Sequence, residues 1–530
     1  MSKPRSIDDI LDMIPYGKFQ LMLLFTCGFI YMSDSVQVNL LGYVSACAGA
    51  DFGLTDTQVA TVTAIIFIGE IFGSMIWGPL ADICGRRQAL LYALCILVAS
   101  GWLSGGTPDF WTLIITQFMA GVGIGATPIP WSILTEFSRT EHRANTIISI
   151  GFFWTGGGVM VNSIAWALLD SMPTSYNWRV LIFVSSLPIT IFSVVAFLTL
   201  PESPRWLISQ GRYEEAEKVL KSAASMNGVD IGEFTLIRDR GSSTADIQKN
   251  GIDDIRGNKI SRNRDSDSND GLCSTLAACG SDFLKNCNQV GSTISHKLSI
   301  VFEKDTLPTT LALMFSFIAY AFCYYGIVIL AEDRIYINDS SATDDASGTR
   351  RRLADDDGAT CSFTYLPLFL GSASEVAGVL ICFMMIEPLG RLPSHMTFFA
   401  VGSLAYFLLG SNLGIVTTAG AYFIGRCFIR TTEAVNIIRA GELYPTATRS
   451  VVVSFFYMFA RIGAFVSTYY VEDSYIPVTF IAYSMGIVCA IGVFVVGTLR
   501  ETKGKHLDSA AATGAIEANS EERRSLLERR

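Results

Sequence analysis

The sequence predicts an all-α membrane protein with twelve transmembrane helices in two six-helix halves. Three observations predict it: composition, placement of charge and an internal repeat. Of 530 residues, 50% are hydrophobic and 16% charged, with a mean hydropathy of +0.40. Soluble chains carry about 25% charged residues. The charge that is present clusters in segments 1–18, 201–307, 332–364 and 499–530, which leaves 26 charged residues among the other 340, about 8%. That density suits lipid, and the length suits about twelve spans of roughly 20 residues.

Taken in order, apolar windows fall near 19–43, 59–80, 88–106, 111–135, 145–169 and 179–200, then 308–331, 365–386, 394–412, 415–440, 450–471 and 476–498. The first is long enough to span and reads as an anchor that stays, not a cleaved leader. Arg86 and Arg87, Arg139 and Arg143, Arg391 and Arg449 follow the second, fourth, eighth and tenth windows. The intervening connections are acidic or neutral apart from Arg179 and Arg350 to Arg352. The positive-inside rule therefore makes both termini and the 201–307 linker cytoplasmic.

The halves repeat each other. Asp82-Ile83-Cys84-Gly85-Arg86-Arg87 follows the second window and Glu387-Pro388-Leu389-Gly390-Arg391 the eighth; Glu136 and Arg143 frame the exit of the fourth, Glu442 and Arg449 that of the tenth. The spacings Asp82 to Glu136 and Glu387 to Glu442 are 54 and 55 residues, and both Glu-to-Arg spacings are 7. Repeats flanking a midplane site are the architecture of alternating-access carriers. The linker opens with an amphipathic helix, Tyr213 to Ala224, and passes into a polar, partly disordered stretch around 261–271. The loop 332–364 holds a sequon at Asn338, a candidate glycosylation site on the non-cytoplasmic side.

Seven ionisable side chains fall well inside spans: Asp34, Glu70, Glu375, Arg426, Arg430, Glu433 and Arg461. Each costs roughly 2.5–3.5 kcal/mol at the bilayer centre unless it faces a cavity or a partner. Arg430 and Glu433, three apart, share a helix face and read as a pair. Arg426 serves either structure or substrate. Arg461, with Gly463 and Ala464 leaving space beside it, is either a fork for a substrate carboxylate or the partner of Glu375 or Asp34. Asp34, Glu70 and Glu375 are candidate proton carriers, since a carboxyl in a partly dry cavity holds its proton toward neutral pH. Tyr324 and Tyr325, with Phe152, Phe153, Trp154 and Tyr320, are candidates to stack on a flat substrate. Gly78, Asp82, Gly85, Arg86 and Arg87 form a gating device: the glycines allow close helix approach, and Asp82 can cap a helix of the other half.

Gly78 to Arg87 resembles the signature between the second and third spans of the major facilitator superfamily. Pro201 to Leu207, Glu442 to Arg449 and Glu501-Thr502-Lys503-Gly504 resemble its sugar and organic-ion branches. Ile7 to Leu11, Tyr16 to Gln20, Met32-Ser33-Asp34, Tyr324 to Leu330 and Ala460 to Ala464 resemble the synaptic-vesicle-2-related transporters, which are similar to niacin and organic-ion carriers. The resemblance implies the major facilitator fold and, for Arg461, a position that organic-anion carriers use for substrate. Two departures stand out. Gln117 replaces an Arg that the superfamily links to proton coupling, and the seventh span lacks the Gln-Gln pattern of sugar porters.

The function read from these residues is secondary transport of a small organic anion, such as an aromatic monocarboxylate like nicotinate, with protons as candidate co-substrate. The alternatives are an organic cation or zwitterion carrier, and a non-transporting vesicle-membrane receptor or scaffold. No nucleophile–base pair, phosphate loop or metal cluster is visible, so no enzymatic activity, cofactor or metal is expected. The twelve cysteines include no CxxC pair, and Cys47 and Cys361 are the two that the topology could join outside the cytosol. Expected partners are substrate, the bilayer and protons, with no nucleic acid and a functional monomer. In the tail, Glu522 precedes Leu526 and Leu527 with the spacing of an acidic dileucine signal read by clathrin adaptors. It favours an endosomal, lysosomal, vacuolar or vesicle membrane over the plasma membrane. Replacing Leu526 and Leu527 by Ala is expected to move a tagged protein to the cell surface; an unmoved distribution on imaging removes the signal.

Overall fold

The computed structural model describes residues 3–138, 143–169, 177–236, 300–304, 306–331, 363–411, 413–444, 449–473 and 475–502. Linker residues 237–299, the loop around Asn338 and the tail with Glu522, Leu526 and Leu527 lie outside the described residues, as do the side chains of Arg143 and Arg449.

The first six spans are Lys18–Phe52, Asp56–Cys84, Arg86–Gly105, a broken fourth (Phe110–Ile124 and Pro128–Phe137), a broken fifth (Arg143–Ser149 and Gly151–Leu169) and Asn177–Thr199. The second six are Leu307–Leu330, Tyr365–Leu389, Arg391–Gly410, Ile415–Leu443, Arg449–Glu472 and Val478–Gly497. Eleven of these are long and apolar enough to cross a membrane by composition alone. The tenth falls short because it carries Arg426, Arg430, Glu433, Arg439 and Glu442 along one helix. Its neighbours, not its hydropathy, keep it in the membrane.

Three spans depart from their hydropathy windows. The first runs nine residues past 43, because Gly42 to Ala50 are too weakly apolar to register yet are mostly buried against other helices. It stops at Gly53, which adopts the left-handed conformation at φ 62°. The fourth breaks at Gly125-Ala126-Thr127, where Pro128 lacks an N–H and its ring crowds the preceding turn. The fifth breaks at Ile150.

The repeat seen in the sequence has a backbone counterpart. Gly85 and Gly390 sit at φ 104° and 97° between the second and third and the eighth and ninth spans, a region L side chains avoid. On the same face, the start of the linker folds onto the N-terminal segment. Strand Lys3–Arg5 pairs in parallel with Phe234–Leu236, and Ile10, Ile14, Leu220, Ala223 and Phe234 are buried. Asn227 closes this cap: its Oδ1 accepts from the Phe19 N–H at 2.8 Å and its amide donates to the Pro15 carbonyl at 2.9 Å. It thereby supplies the helix cap that Gly17 cannot.

The halves meet on both faces. Toward the face carrying Arg86 and Arg391, hereafter the basic face, Gly78 abuts Ser454 of the eleventh span, where an added Cβ would stand 3.2 Å from its hydroxyl. Toward the opposite face, Thr61 lies 3.2 Å from the Tyr469 hydroxyl, and Asn162 of the fifth span donates to Ser372 Oγ at 2.8 Å and the Leu368 carbonyl at 3.1 Å. This is an occluded state. Cys47 is disulfide-bonded, and the other described cysteines are free; Cys361 lies outside the described residues.

Gly85→Ala and Gly390→Ala are each expected to cost roughly 1–3 kcal/mol, the strain of a backbone region essentially reserved for glycine, and to lower the melting temperature of purified protein by a few degrees. Gly420→Ala, helical and facing open space, is expected to leave it unchanged or raised.

Candidate functional site

The seven intramembrane ions converge between the halves, each 4% exposed or less. Arg461 of the eleventh span is held by two carboxyls of the first half: its Nε meets Glu70 Oε2 and its Nη2 lies 3.4 Å from Asp34 Oδ2. Its Nη1 also donates to the Tyr325 hydroxyl. Arg426 donates from Nε to Glu375 Oε1 at 2.8 Å, from Nη1 to the Tyr422 hydroxyl at 2.9 Å, and from Nη2 to Asn39 Oδ1 and Ser372 Oγ, both at 3.0 Å. Arg430 pairs with Glu433 and donates to the Tyr31 hydroxyl at 3.0 Å. Tyr31 and Tyr457 in turn donate to Glu433, at 3.0 and 2.6 Å.

Aromatic rings fill the space between these ions. The Arg430 guanidinium stands 4.8 Å from the Trp154 ring centroid and 5.9 Å from those of Tyr31 and Tyr324, within cation–π range. Tyr324 accepts from Trp154 Nε1 at 2.7 Å and donates to Glu375 Oε1 at 2.9 Å, so one tyrosine joins the halves. The break in the fourth span places Thr127, its hydroxyl 2.6 Å from the Ile124 carbonyl and 3.0 Å from Asp34 Oδ2. Asp34 therefore faces the positive end of Pro128–Phe137, where a helix dipole favours an anion.

Four carboxyls, Asp34, Glu70, Glu375 and Glu433, face three guanidiniums, Arg426, Arg430 and Arg461. All three nitrogens of Arg426 have fixed partners, and Arg430 is paired with Glu433 and Tyr31 but leaves its Nε without a hydrogen bond. Arg461 is shared between two acids, and Asp34 Oδ1 has no hydrogen-bond partner among the described residues. Other buried polar atoms without one include Glu70 Oε1, Arg430 Nε, Gln117 Nε2, Trp131 Nε1 and the Tyr320 hydroxyl.

Several sequence expectations change here. Glu375 pairs with Arg426 and not with Arg461, because the eighth span faces the tenth. Gly463 does not open room for a ligand; it lets the eleventh span press against the Ile318 carbonyl. Phe152 stacks on Phe383 and Phe153 packs between Phe25 and Phe29, whereas Trp154, Tyr320, Tyr324 and Tyr325 are central. Sequence reasoning missed Tyr31, Asn39, Trp131 and Tyr457, ordinary span residues whose position among the ions only packing reveals.

At the basic face the repeat becomes two charge lattices. Arg86 joins Asp82 at 2.9 Å and Glu136 at 3.3 Å; Arg391 joins Glu387 at 3.3 Å and Glu442 at 3.4 Å. Each lattice has an acid the sequence did not single out. Glu202 Oε1 accepts the N–H groups of Arg86 and Arg87 at 2.9 and 3.3 Å, and Glu501 accepts those of Arg391 and Leu392 at 3.0 and 2.8 Å, so each carboxylate caps a span's N-terminus. Burial lifts the Glu202 carboxyl above its ordinary value despite these donors, which pull the other way. Asp82 is engaged by Arg86 of its own half. Among the described residues no three or more His, Cys, Asp or Glu are arranged to hold a metal.

Comparison with known proteins agrees with this architecture. Residues 17–248 match the family described as sugar (and other) transporter. The chain is 27% identical to the synaptic vesicle 2-related protein of Xenopus laevis, over 95% of this chain and 82% of that one. It is also 27% identical to organic cation/carnitine transporter 7 of Arabidopsis thaliana, over 86% of each. Among solved structures, the proton:xylose symporter bound to 6-bromo-6-deoxy-D-glucose superimposes with a TM-score of 0.63 at 15% identity, covering 93% of this chain and 99% of the symporter. The fold is that of the major facilitator structures, and the repeated lattices and these relatives support a membrane transporter of that type, similar to the synaptic vesicle 2-related proteins.

Proposed function

We propose that the chain carries a small organic cation or zwitterion across an internal, vesicle-type membrane by alternating access, in exchange for a proton held at Asp34 and Glu70. The observation that carries this reading is the imbalance of four buried carboxyls against three guanidiniums. An unneutralised carboxylate in the membrane costs several kcal/mol, so one acid holds a proton when the site is closed and empty. The acids that share Arg461 hold it, because Glu375 and Glu433 each have a guanidinium and tyrosine partners of their own. A cationic substrate replaces that proton without moving an arginine, and the tyrosine and tryptophan faces suit its positive group. Arg426, Tyr324 and Tyr325 then border the substrate, and Arg461 orients the two acids.

The basic-face lattices act as the gate in this scheme. Gly78 closes that face against Ser454 of the other half, and the lattices of Asp82, Arg86, Arg87 and Glu136 in one half and Glu387, Arg391 and Glu442 in the other keep each half rigid, so that the face opens only when the halves move as bodies. The names of the vesicle-related and organic cation relatives support the membrane and the substrate charge.

An organic anion, the first reading from sequence, needs Arg461 released by one of its acids, which then takes up a proton. The two readings differ in coupling sign. In proteoliposomes given a panel of labelled organic cations, zwitterions, anions and sugars, cation uptake is expected to rise when the lumen is made acidic relative to the outside; anion uptake that rises with an acidic exterior reverses the assignment. Glu70→Gln, which equalises the charges, is expected to abolish the response to a pH gradient while leaving substrate exchange. Unchanged pH dependence in both Glu70→Gln and Asp34→Asn overturns the coupling, and no flux for any class favours a receptor or scaffold.

A further inference from the structure

The second half buries another polar cluster, away from the central ions and one turn inside the basic-face lattice. His395 of the ninth span, Arg439 and Asn436 of the tenth and Ser316 of the seventh are all fully buried. His395 Nδ1 lies 3.4 Å from Arg439 Nη1 and its Nε2 lies 3.3 Å from Ser316 Oγ. Ser316 donates to Asn436 Oδ1 at 2.7 Å, and Arg439 Nη2 donates to the Arg500 carbonyl at 3.0 Å.

A guanidinium can only donate, so Nδ1 must present its lone pair to Arg439. The ring proton then sits on Nε2 and is donated to Ser316, whose own proton goes to Asn436. Every direction in the chain is consistent for one species, the neutral imidazole protonated on Nε2. A second proton on Nδ1 places two cations in contact in a dry site.

The charged groups around His395 leave that repulsion uncompensated. The tenth span brings Arg439 and Glu442, but Glu442 is tied to Arg391. The eighth brings Glu387, also on Arg391. The ninth contributes Arg391 itself. The seventh and twelfth spans carry no Asp, Glu, Lys, Arg or His. After the twelfth span, Glu501 caps the ninth. Among the described residues no carboxylate reaches ion-pair distance of Arg439, although Glu501 and Glu442 act on it through space.

The fold itself does not require this cluster. Aligning the repeats by Arg86 with Arg391 and Glu136 with Glu442 puts Leu90 at the place of His395 and Ile133 at that of Arg439, and both are buried apolar residues. One half fills the position with hydrocarbon, while the other places there a titratable ring against an arginine that has no ion-pair partner among the described residues.

We propose that His395 and Arg439 form a pH-sensitive latch of the second half. The occluded state excludes the second proton, so a state in which Arg439 has left His395 binds it more tightly, and by linkage acid at the basic face favours that state. The displaced Arg439 moves toward Glu442 and Glu501, the anions that otherwise hold Arg391 and the start of the ninth span, and the basic face loosens.

The test uses full-length protein in lipid nanodiscs and needs no substrate. Hydrogen–deuterium exchange, corrected for the chemical pH dependence of amide exchange, is expected to rise severalfold in peptides covering 385–395 and 436–444 as pH falls through the imidazole range. In His395→Gln, whose amide can accept from Arg439 and donate to Ser316 without titrating, that rise is expected to vanish with the melting temperature retained. In Arg439→Gln, which removes the repelling charge, the midpoint is expected to move to higher pH. Nitrogen NMR of the histidines, four in the chain, is expected to show one Nε2-protonated ring that resists titration until the exchange transition. No acid response in the wild type, an equal response in His395→Gln, or an unmoved midpoint in Arg439→Gln overturns the latch. The Arg439→Gln arm decides the matter should His395→Gln not fold.

Discussion

An ion in hydrocarbon must find a counter-ion, and in this protein one central arginine, Arg461, finds both of its counter-ions across the interface between the two halves. Arg461 of the second half sits between Asp34 and Glu70 of the first. Arg426 reaches Asn39, and Tyr31 bridges Arg430 to Glu433. Neither half could bury its own charges alone, because the first would carry unpaired acids and the second a surplus arginine. Assembly of the bundle is therefore coupled to neutralisation of its centre, and separation of the halves must expose or re-pair those groups. That constraint makes the site a control point for motion as well as for binding.

The two lattices at the basic face show the same economy in repeated form. In each half a glycine with positive φ turns the chain between two spans, an arginine one residue later collects acids from two helices, and a distant glutamate caps the next span. Glu202 and Glu501 come from segments that follow the last span of each half, so the chain after a half is used to lock its start. The cap built from residues 3–14 and 204–236 adds a third tie, with Asn227 holding the first span by its backbone. These ties stiffen each half as a body, which is what rocking of one half against the other requires.

The interior is asymmetric where the surface is repeated. The first half contributes Asp34, Glu70 and a fourth span broken at Gly125 to Thr127, and the second contributes all three central guanidiniums. A broken helix frees backbone groups at mid-depth and aims a dipole at Asp34. Around Arg461, acid and base are thus supplied from opposite sides of one cleft, an arrangement that responds to a proton or an ion entering between them.

The sequence by itself determined the twelve spans, the six-plus-six repeat, the basic lattice of Asp82, Arg86, Glu387 and Arg391, and the list of buried ions. Each of these follows from local composition or fixed spacing, and lipid punishes errors in either. It also identified Arg430 and Glu433 as partners, because three residues on one helix fix their distance. Only the tertiary structure decided which distant ions meet. Arg461 takes Glu70 as well as Asp34, Arg426 takes Glu375, and Glu202 and Glu501 become helix caps, since those choices depend on how helices hundreds of residues apart are rotated against each other. The breaks in the fourth and fifth spans and the burial of His395 against Arg439 were hidden for the same reason: hydropathy records how much apolar surface a segment offers, not which neighbour each side chain will face.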